Sequence, residues 1–417
     1  MTAAADAARC EALLLELFGQ DQFAIKLGLE AMQEAARLEG LGPCARVTVH
    51  IAGTNGKGTT SAALTALCHA AGLRTGLYTS PHLVSFHERI RVGTRPLTDG
   101  ELAELLDPIL ARHAGRRAPA VGLRPLTYFE IATLAAWRCF SESELDVAII
   151  ETGLGGRLDA TNTIPKEFTA ITNIALDHEA FLGSTVADIA REKFGICRPG
   201  LPLLVHTDAA GTSELGALAS GHGVPLERVH GGVTAREQNL ALAHRLFEQV
   251  ADRLGLPSSA RQQAVERAAR ALRWPGRQEE LEQGGRTLLV DGAHNRNGVE
   301  ASAAWLRSLG WSEERRLTAI VGLTADRDPA AILAPLQPLV ARWVAVSADN
   351  PKSMVASTLA SRLSGFGDVS AEEGGLAAAL ASNDASPVLV VGSLYLVGDL
   401  FVALGKTAAD LAIFDEA

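Results

Sequence analysis

The sequence predicts an α/β protein of two units, each a mostly parallel sheet covered by helices. Short apolar, β-branched runs alternate with helical stretches along most of the chain, as buried parallel strands with crossover helices do. The alternation restarts after a cluster of Pro, Gly and charge, "RWPGRQEELEQGG" (273–285). The chain's 417 residues also exceed what one ordinary domain needs. The expected division is 1–280 and 281–417, the second unit being the smaller.

The first strand is "ARVTVHIA" (45–52), followed by a glycine loop, the helix "TTSAALTALCHAAG" ended by Gly72, and a strand in "RTGLYTS". This is a βαβ-like unit with the glycine loop at a helix N-terminus. A helix is expected over 127–143. Strands are expected in "DVAIIE" (146–151), "FTAITNIALDH" (168–178) and "LPLLVH" (201–206). In the second unit "RTLLVDGAHN" (286–295), "RLTAIVGL" (316–323), "RWVAVSA" (342–348) and "PVLVVGS" (387–393) read as strands. Ligands of such sheets sit at the carboxyl ends of the strands, where this reading places Glu151, Asp177 and His178.

Composition narrows the function classes. The chain is 47% hydrophobic and 21% charged, so large cores are affordable and wholesale disorder is excluded. A formal net charge of -10 argues against a general nucleic-acid binder. Cys10, Cys44, Cys68, Cys139 and Cys197 are widely spaced with no CxxC, so neither a disulfide framework nor a zinc knuckle is expected. The N-terminus carries acidic residues and no basic stretch, unlike a signal peptide, and no apolar run approaches the roughly 18 residues of a membrane span. A cytoplasmic protein with reduced thiols is expected. Of 38 basic residues only six are Lys, so a lysine inside a motif is informative.

"HIAGTNGKGTT" (50–60) departs from the G-x-x-x-x-G-K-[ST] pattern. The first glycine would fall on Ile51, and Gly58 separates Lys57 from Thr59. Even so, backbone N–H groups in a glycine turn at a helix N-terminus make an anion cradle. Lys57 can reach phosphates there, and Thr59 or Thr60 can offer a hydroxyl to Mg²⁺. Glu151 is a natural oxygen ligand for that ion. Other stretches are ambiguous as bare patterns. "ETGLGGRLDATN" (151–162) reads equally as a tight surface loop, and a His after a strand is more often hydrogen-bonded than ligating. From chemistry alone Lys193 reads as a solvated helix-end lysine paired with Glu192 or Asp188. "VDGAHN" (290–295) places Asp291, His294 and Asn295 where a ribose could be bound.

Together "HIAGTNGKGTT", "YTSPHLVSFHERIRV", "LTYFEIATLAAW", "ETGLGGRLDATN", "ITNIALDHEAFLGSTVADIAREKFGI", "WPGRQE", "VDGAHN" and "GSLYLVGDL" resemble the folylpolyglutamate synthase/dihydrofolate synthase family of the Mur ligase superfamily. They span roughly residues 47–400 in the family's order, and the extra glycine of "GTNGKGTT" is normal in that superfamily's phosphate loop. The resemblance implies Mur ligase architecture: a P-loop-type ATP- and folate-binding domain, then a smaller Rossmann-like glutamate-ligase domain. It implies ATP-dependent addition of L-glutamate to a folate through an acyl phosphate, with dihydropteroate as a further substrate.

By position, the resemblance implies that Lys57 binds phosphate within a cradle of Gly53, Thr54, Asn55, Gly56, Gly58 and Thr60. It implies one Mg²⁺ on Thr59 and Glu151, and a second on His178 supported by a carbamylated Lys193. A monovalent cation would be compatible. Arg277 is implied to reach the γ-phosphate, Asn239 the adenine side, and Asp291 and His294 the ribose and phosphates. Ser80, Pro81 and His82 are implied to lie beside the pteroate, and Phe129 and Asp159 to hold a pterin. The family expectation is a monomer, with no nucleic-acid or membrane partner. Three departures bear on substrate detail: Phe194 where Ala is usual, Arg296 where Pro is usual, and Arg327 where Lys is common. Residues 26–32, "KLGLEAM", resemble the family, but the segment before them does not. A Mur ligase for another carboxylate and a non-catalytic nucleotide binder are the competing readings. The intact Lys57, Glu151, His178 and Lys193 oppose the second.

Overall fold

Eight strands build the first sheet: β1 (Ala45–Ala52), β2 (Thr75–Tyr78), β3 (Ile90–Val92), β4 (Arg95–Pro96), β5 (Leu145–Glu151), β6 (Phe168–Ile171), β7 (Leu203–His206) and β8 (Leu226–Val229). Their order is β4-β3-β2-β5-β1-β6-β7-β8, parallel from β2 to β8 with an antiparallel edge at β3 and β4. Six strands build the second: β9 (Glu279–Gln283), β10 (Arg286–Asp291), β11 (Leu317–Val321), β12 (Val340–Val346), β13 (Asp368–Glu372) and β14 (Val388–Val391). Their order is β13-β12-β11-β14-β10-β9, parallel except for β9. The α/β class with two mostly parallel sheets is as the sequence predicts. This computed structural model describes residues 2–20, 28–115, 124–381 and 387–415; Lys26 and Leu27 of the 26–32 stretch lie outside the described residues.

The central strands are buried on both faces, β1 from Val47 onward and β5 at all but one position, which is why they read as continuous apolar runs. Several helices begin at polar caps. Thr127 caps helix Tyr128–Glu142 in a capping box with Glu130, and Arg124 grips both Glu130 oxygens at 2.7 Å. One expectation fails. The apolar run 168–178 is not one strand: β6 stops at Ile171. Beyond it the backbone is diverted to hold the glycine loop, Thr54 N donating to Asn173 O at 2.9 Å and Ala175 N to Thr54 Oγ1 at 3.0 Å. Asp177 and His178 therefore sit on a loop.

The chain crosses between the two bodies twice, at 272–279 and again near its end. Ile413 and Phe414 return to the core beneath the first sheet. Leu272 and Phe414 form an antiparallel bridge, flanked by Arg273 N→Ile413 O at 3.0 Å and Asp415 N→Ala271 O at 2.8 Å. Apolar packing adds a third connection, with Leu83 and Val84 of the first body resting on the core around helix Leu394–Ala403. In mid-helix, Gly398 lets the Leu83 backbone approach. A Cβ there would lie 2.2 Å from the Leu83 carbonyl oxygen. Alanine is ordinarily the better helix former by roughly 1 kcal/mol. We expect Gly398→Ala instead to lower stability by ~1–3 kcal/mol through overpacking, read as a fall in Tm. A rise in Tm would show that Leu83 yields.

Candidate active site between the two sheets

The glycine loop leaves the buried end of β1 and enters helix Lys57–Ala70, whose N-terminus has no side-chain cap. Its first N–H groups are available to an anion. Gly56 precedes the helix in the left-handed region at φ 83°, and a Cβ on it would lie 2.4 Å from the Asn239 amide. Gly58, the extra glycine, faces Trp274: a Cβ would lie 2.7 Å from the indole. The spacing thus reflects close packing of the loop against helix Ala235–Leu254 and the 272–279 crossing.

Two lysines converge on one oxygen. Lys57 Nζ donates to Gly53 O at 3.0 Å, and Lys193 Nζ donates to the same oxygen at 2.9 Å. The reading of Lys193 as a solvated lysine is corrected. It is 3% exposed, while Glu192 pairs with Arg157 and Asp188 with Arg191. Burial, reinforced by Lys57, brings the Lys193 amine down to about 7.

Glu151 ends β5 opposite this pair and is buried. Its one hydrogen bond among the described residues comes from the Ser80 N–H at 3.3 Å. Burial pushes its carboxyl up to about 7 despite the pull of Lys57 and Arg277. Such a carboxylate lacks donors and suits a cation. Thr59, Ser80, Pro81 and His178 line the same cleft. His178 is left-handed at φ 51°, with its own N–H on Asp177.

The 272–279 crossing and the second sheet close the other wall, with Arg277 from the first and Asp291 and His294 from the second. Burial lowers the Arg277 guanidinium, with Asp291 and Glu151 opposing. Burial raises Asp291, which accepts Ser302 Oγ at 2.6 Å, and lowers His294 to about 4. An amide web joins the walls. Asn55 Nδ2 donates to Asn295 Oδ1 at 3.1 Å and to Asn297 Oδ1 at 2.8 Å, and Asn173 Nδ2 also donates to Asn297 Oδ1 at 2.8 Å. Asp177 is shared across the gap, accepting from Asn295 at 2.8 Å and from Arg327 at 2.7 Å. Burial would raise this carboxyl, but His178, Arg327 and His294 hold it well below the usual range.

Of the residues expected at the site, Gly53, Thr54, Asn55, Gly56, Lys57, Gly58, Thr59, Ser80, Pro81, Glu151, His178, Lys193, Asn239, Arg277, Asp291 and His294 all line this cleft. Four stand behind it. The Thr60 side chain is buried against Asn239 O at 3.4 Å. His82 accepts from Arg89 Nε at 2.8 Å. Phe129 lies against Gly153, where a Cβ would meet its ring at 2.4 Å. Asp159 is occupied by its own loop, accepting the Leu154 N–H at 2.8 Å and both the N–H and hydroxyl of Thr161. Sequence reasoning missed the structural work of Thr172, Asn173 and Asn297; the only signal for the first two was their place directly after the apolar end of β6.

The strained electrostatics yield a test. Glu151 binds its proton more tightly folded than unfolded, so its penalty is absent below about 4.5 and complete above about 7. Glu151→Gln should stabilise the ligand-free protein above pH 7, by on the order of 3 kcal/mol, with the gain vanishing toward pH 4.5. Thermal unfolding across that range reads it. A variant less stable than the parent at pH 8 would show that the carboxylate is already well compensated.

A family model described as Mur ligase, glutamate ligase domain matches residues 276–394. The chain is 35% identical over 399 residues to the dihydrofolate synthase/folylpolyglutamate synthase of Escherichia coli (strain K12), covering 89% of this chain and 90% of that one. It is 30% identical over 421 residues to the protein of the same name from Bacillus subtilis (strain 168), covering 92% and 96%. Among solved structures, E. coli FolC in complex with DHPP and ADP matches with a TM-score of 0.81 at 30% identity, covering 96% of this chain and 98% of that one. The bifunctional folylpolyglutamate synthase/dihydrofolate synthase from Yersinia pestis, complexed with AMPPNP and Mn ion, matches with a TM-score of 0.78 at 32% identity, covering 95% and 98%. With the phosphate-type loop, the paired lysines and the two-sheet cleft all in place, the chain belongs to the folylpolyglutamate synthase/dihydrofolate synthase family of the Mur ligase superfamily.

Proposed function

We propose that this protein is an ATP-dependent ligase joining L-glutamate to the carboxylate of a folate, and that dihydropteroate is a second acyl substrate. The observation that carries the reading is the pair of lysines on Gly53 O at an uncapped helix N-terminus, with Arg277 on the facing wall. That arrangement suits a polyphosphate lying between the sheets. The ADP and DHPP of the E. coli complex, and the Mn, AMPPNP and L-glutamate of a further related complex, support the same ligand set.

In this reading residues 1–280 bind ATP and the folate, and residues 281–417 are the glutamate-ligase domain apart from the tail around Ile413 and Phe414, which packs in the core of the first body. Lys57 and the loop N–H groups hold the terminal phosphates, and Arg277 takes the charge of the transferred one. Asn239 borders the adenine, while Asp291 and His294 reach the ribose side. Thr59 and Glu151 would hold one Mg²⁺, and His178 a second, with Lys193 as its carbamate. Bound there, the ions would offset phosphate charge and align the reacting oxygens. The Lys193 amine near 7 supports carbamylation, because only the neutral amine adds to CO₂.

The acyl substrate enters beside Ser80 and Pro81, with His82, Phe129 and Asp159 supporting that wall from behind. Its carboxylate oxygen attacks the γ-phosphorus, and the bond to ADP breaks. The glutamate amine then attacks the acyl carbon and loses a proton, and phosphate leaves, giving the amide. Holding both anions in one cleft is the electrostatic task of the cations.

ADP release with Mg-ATP and L-glutamate, assayed separately with dihydropteroate and with a reduced folate, tests the reaction. Mass spectrometry should find glutamate on both products; ADP release with neither would sink the reading. Lys57→Ala should lose nucleotide affinity and turnover together, turnover falling by at least ~10²-fold. Lys193→Ala should keep nucleotide binding and lose ligation, with partial rescue by small carboxylates. Unchanged turnover in Lys193→Ala would remove its supporting role.

A further inference from the structure

A second chemical cluster lies away from the cleft. Cys10, on helix Ala3–Phe18, meets His87, in the turn Phe86–Arg89, and Asp99, which opens helix Asp99–His113. Cys10 Sγ is 3.6 Å from His87 Nε2, and Asp99 Oδ1 is 3.1 Å from the same nitrogen. The three donor atoms all lie within 4.8 Å of one another. We propose that Cys10, His87 and Asp99 form a Zn²⁺ site, with the fourth position open to the surface cavity that Glu11 also lines.

The spacing fits the ion. Tetrahedral zinc, with Zn–S ~2.3 Å and Zn–N or Zn–O ~2.0–2.1 Å, separates sulfur from nitrogen by about 3.6 Å and nitrogen from oxygen by about 3.4 Å. The donor set fits as well. A thiolate and a carboxylate together cancel the charge of Zn²⁺ beside a thiol that is only 1% exposed. Ser85 Oγ sits 2.6 Å from His87 Nδ1. With Nε2 on the metal, Nδ1–H donates to that hydroxyl, the outer contact that orients ligating histidines.

Two other readings of the cluster compete with this one. In a nucleophilic Cys-His-Asp triad, one ring nitrogen faces the sulfur and the other the carboxylate. Here Nε2 faces both, and the thiol is buried. A simple hydrogen-bonded cluster, with Nε2–H and the Cys10 S–H both donating to the Asp99 carboxylate, would also satisfy these atoms, and titration with Zn²⁺ separates the two. A metal satisfies all three donors together.

The site would staple the N-terminal helix to the turn that bears the cleft wall. Arg89, two residues beyond His87, donates to His82 at 2.8 Å, and His82 adjoins Pro81 of the cleft. This inference does not depend on the ligase reading.

The test uses the full chain, stripped with chelator and titrated with Zn²⁺ or Co²⁺ under excess Mg²⁺. Expected are one tight Zn²⁺ per chain, a rise in Tm, and a thiolate-to-cobalt charge-transfer band with Co²⁺. Cys10→Ser and His87→Ala should each abolish the band and weaken Zn²⁺ binding by ~10²-fold or more. Ser85→Ala should weaken it by ~10- to 100-fold. Circular dichroism verifies that each variant is folded. Absence of the band in the parent chain overturns the proposal, and so does a band that persists in Cys10→Ser. Zn²⁺ affinity unchanged in both ligand variants would place the ion in the cleft and overturn it equally.

Discussion

Two ammonium groups on one carbonyl oxygen are the constraint around which the cleft is arranged. Gly53 O accepts from both Lys57 and Lys193. Neither repulsion nor burial favours two full charges there, and Lys193 yields, its amine falling to about 7. The arrangement is held by its surroundings. Thr172 and Asn173 fasten the loop from behind, Thr172 Oγ1 donating to Asn55 O at 2.5 Å. Glu151, buried nearby with its carboxyl at about 7, is the complementary misfit. A site that is uncomfortable when free gains most from ligands that bring the missing charges, and such strain is characteristic of functional sites.

The facing wall is coupled to this pair by two kinds of contact. The web of Asn55, Asn173, Asn295 and Asn297 is neutral, directional and insensitive to salt. The Asp177 cluster is ionic, with Arg327 17% exposed in its side chain and so within reach of solvent screening. Arg327 and Asn297 both come from the second body, and each takes a partner in the first. Substitution of Arg327 would change how the walls meet without touching the phosphate loop, whereas substitution of Asn297 would also release Asn55 of that loop.

Much of the first-sheet core was legible, because double burial forces continuous apolar runs in β1, β5 and β7. The short or exposed edge strands β3, β4, β8, β9 and β13 were not. β9 reads "EELEQ" and β13 "DVSAE", with no fully buried position in either, so hydrophobic patterning has nothing to detect. The run after β6 misled for the opposite reason: its apolar residues mask a backbone whose hydrogen bonds go to the loop. Lys193 shows the limit for sites. Its neighbours Glu192 and Asp188 suggested a surface pair, and only the fold reveals that both are taken by arginines. Cys10, His87 and Asp99 had no spacing rule to find them, since they are brought together by helix packing alone.

The paired crossings at 272–279 and 411–415 have a mechanical meaning. A body on one tether can swivel in any direction, whereas these two tethers are hydrogen-bonded to each other through Leu272 and Phe414. They form a single short two-stranded strap held by one bridge and its two backbone hydrogen bonds. Twisting the bodies past one another would break that bridge, but flexing along it would not. A clamshell opening would separate the asparagine web and the Asp177–Arg327 pair while leaving the strap intact. Substrate exchange would then proceed by the parting of the jaws, with the hinge line set by chain connectivity.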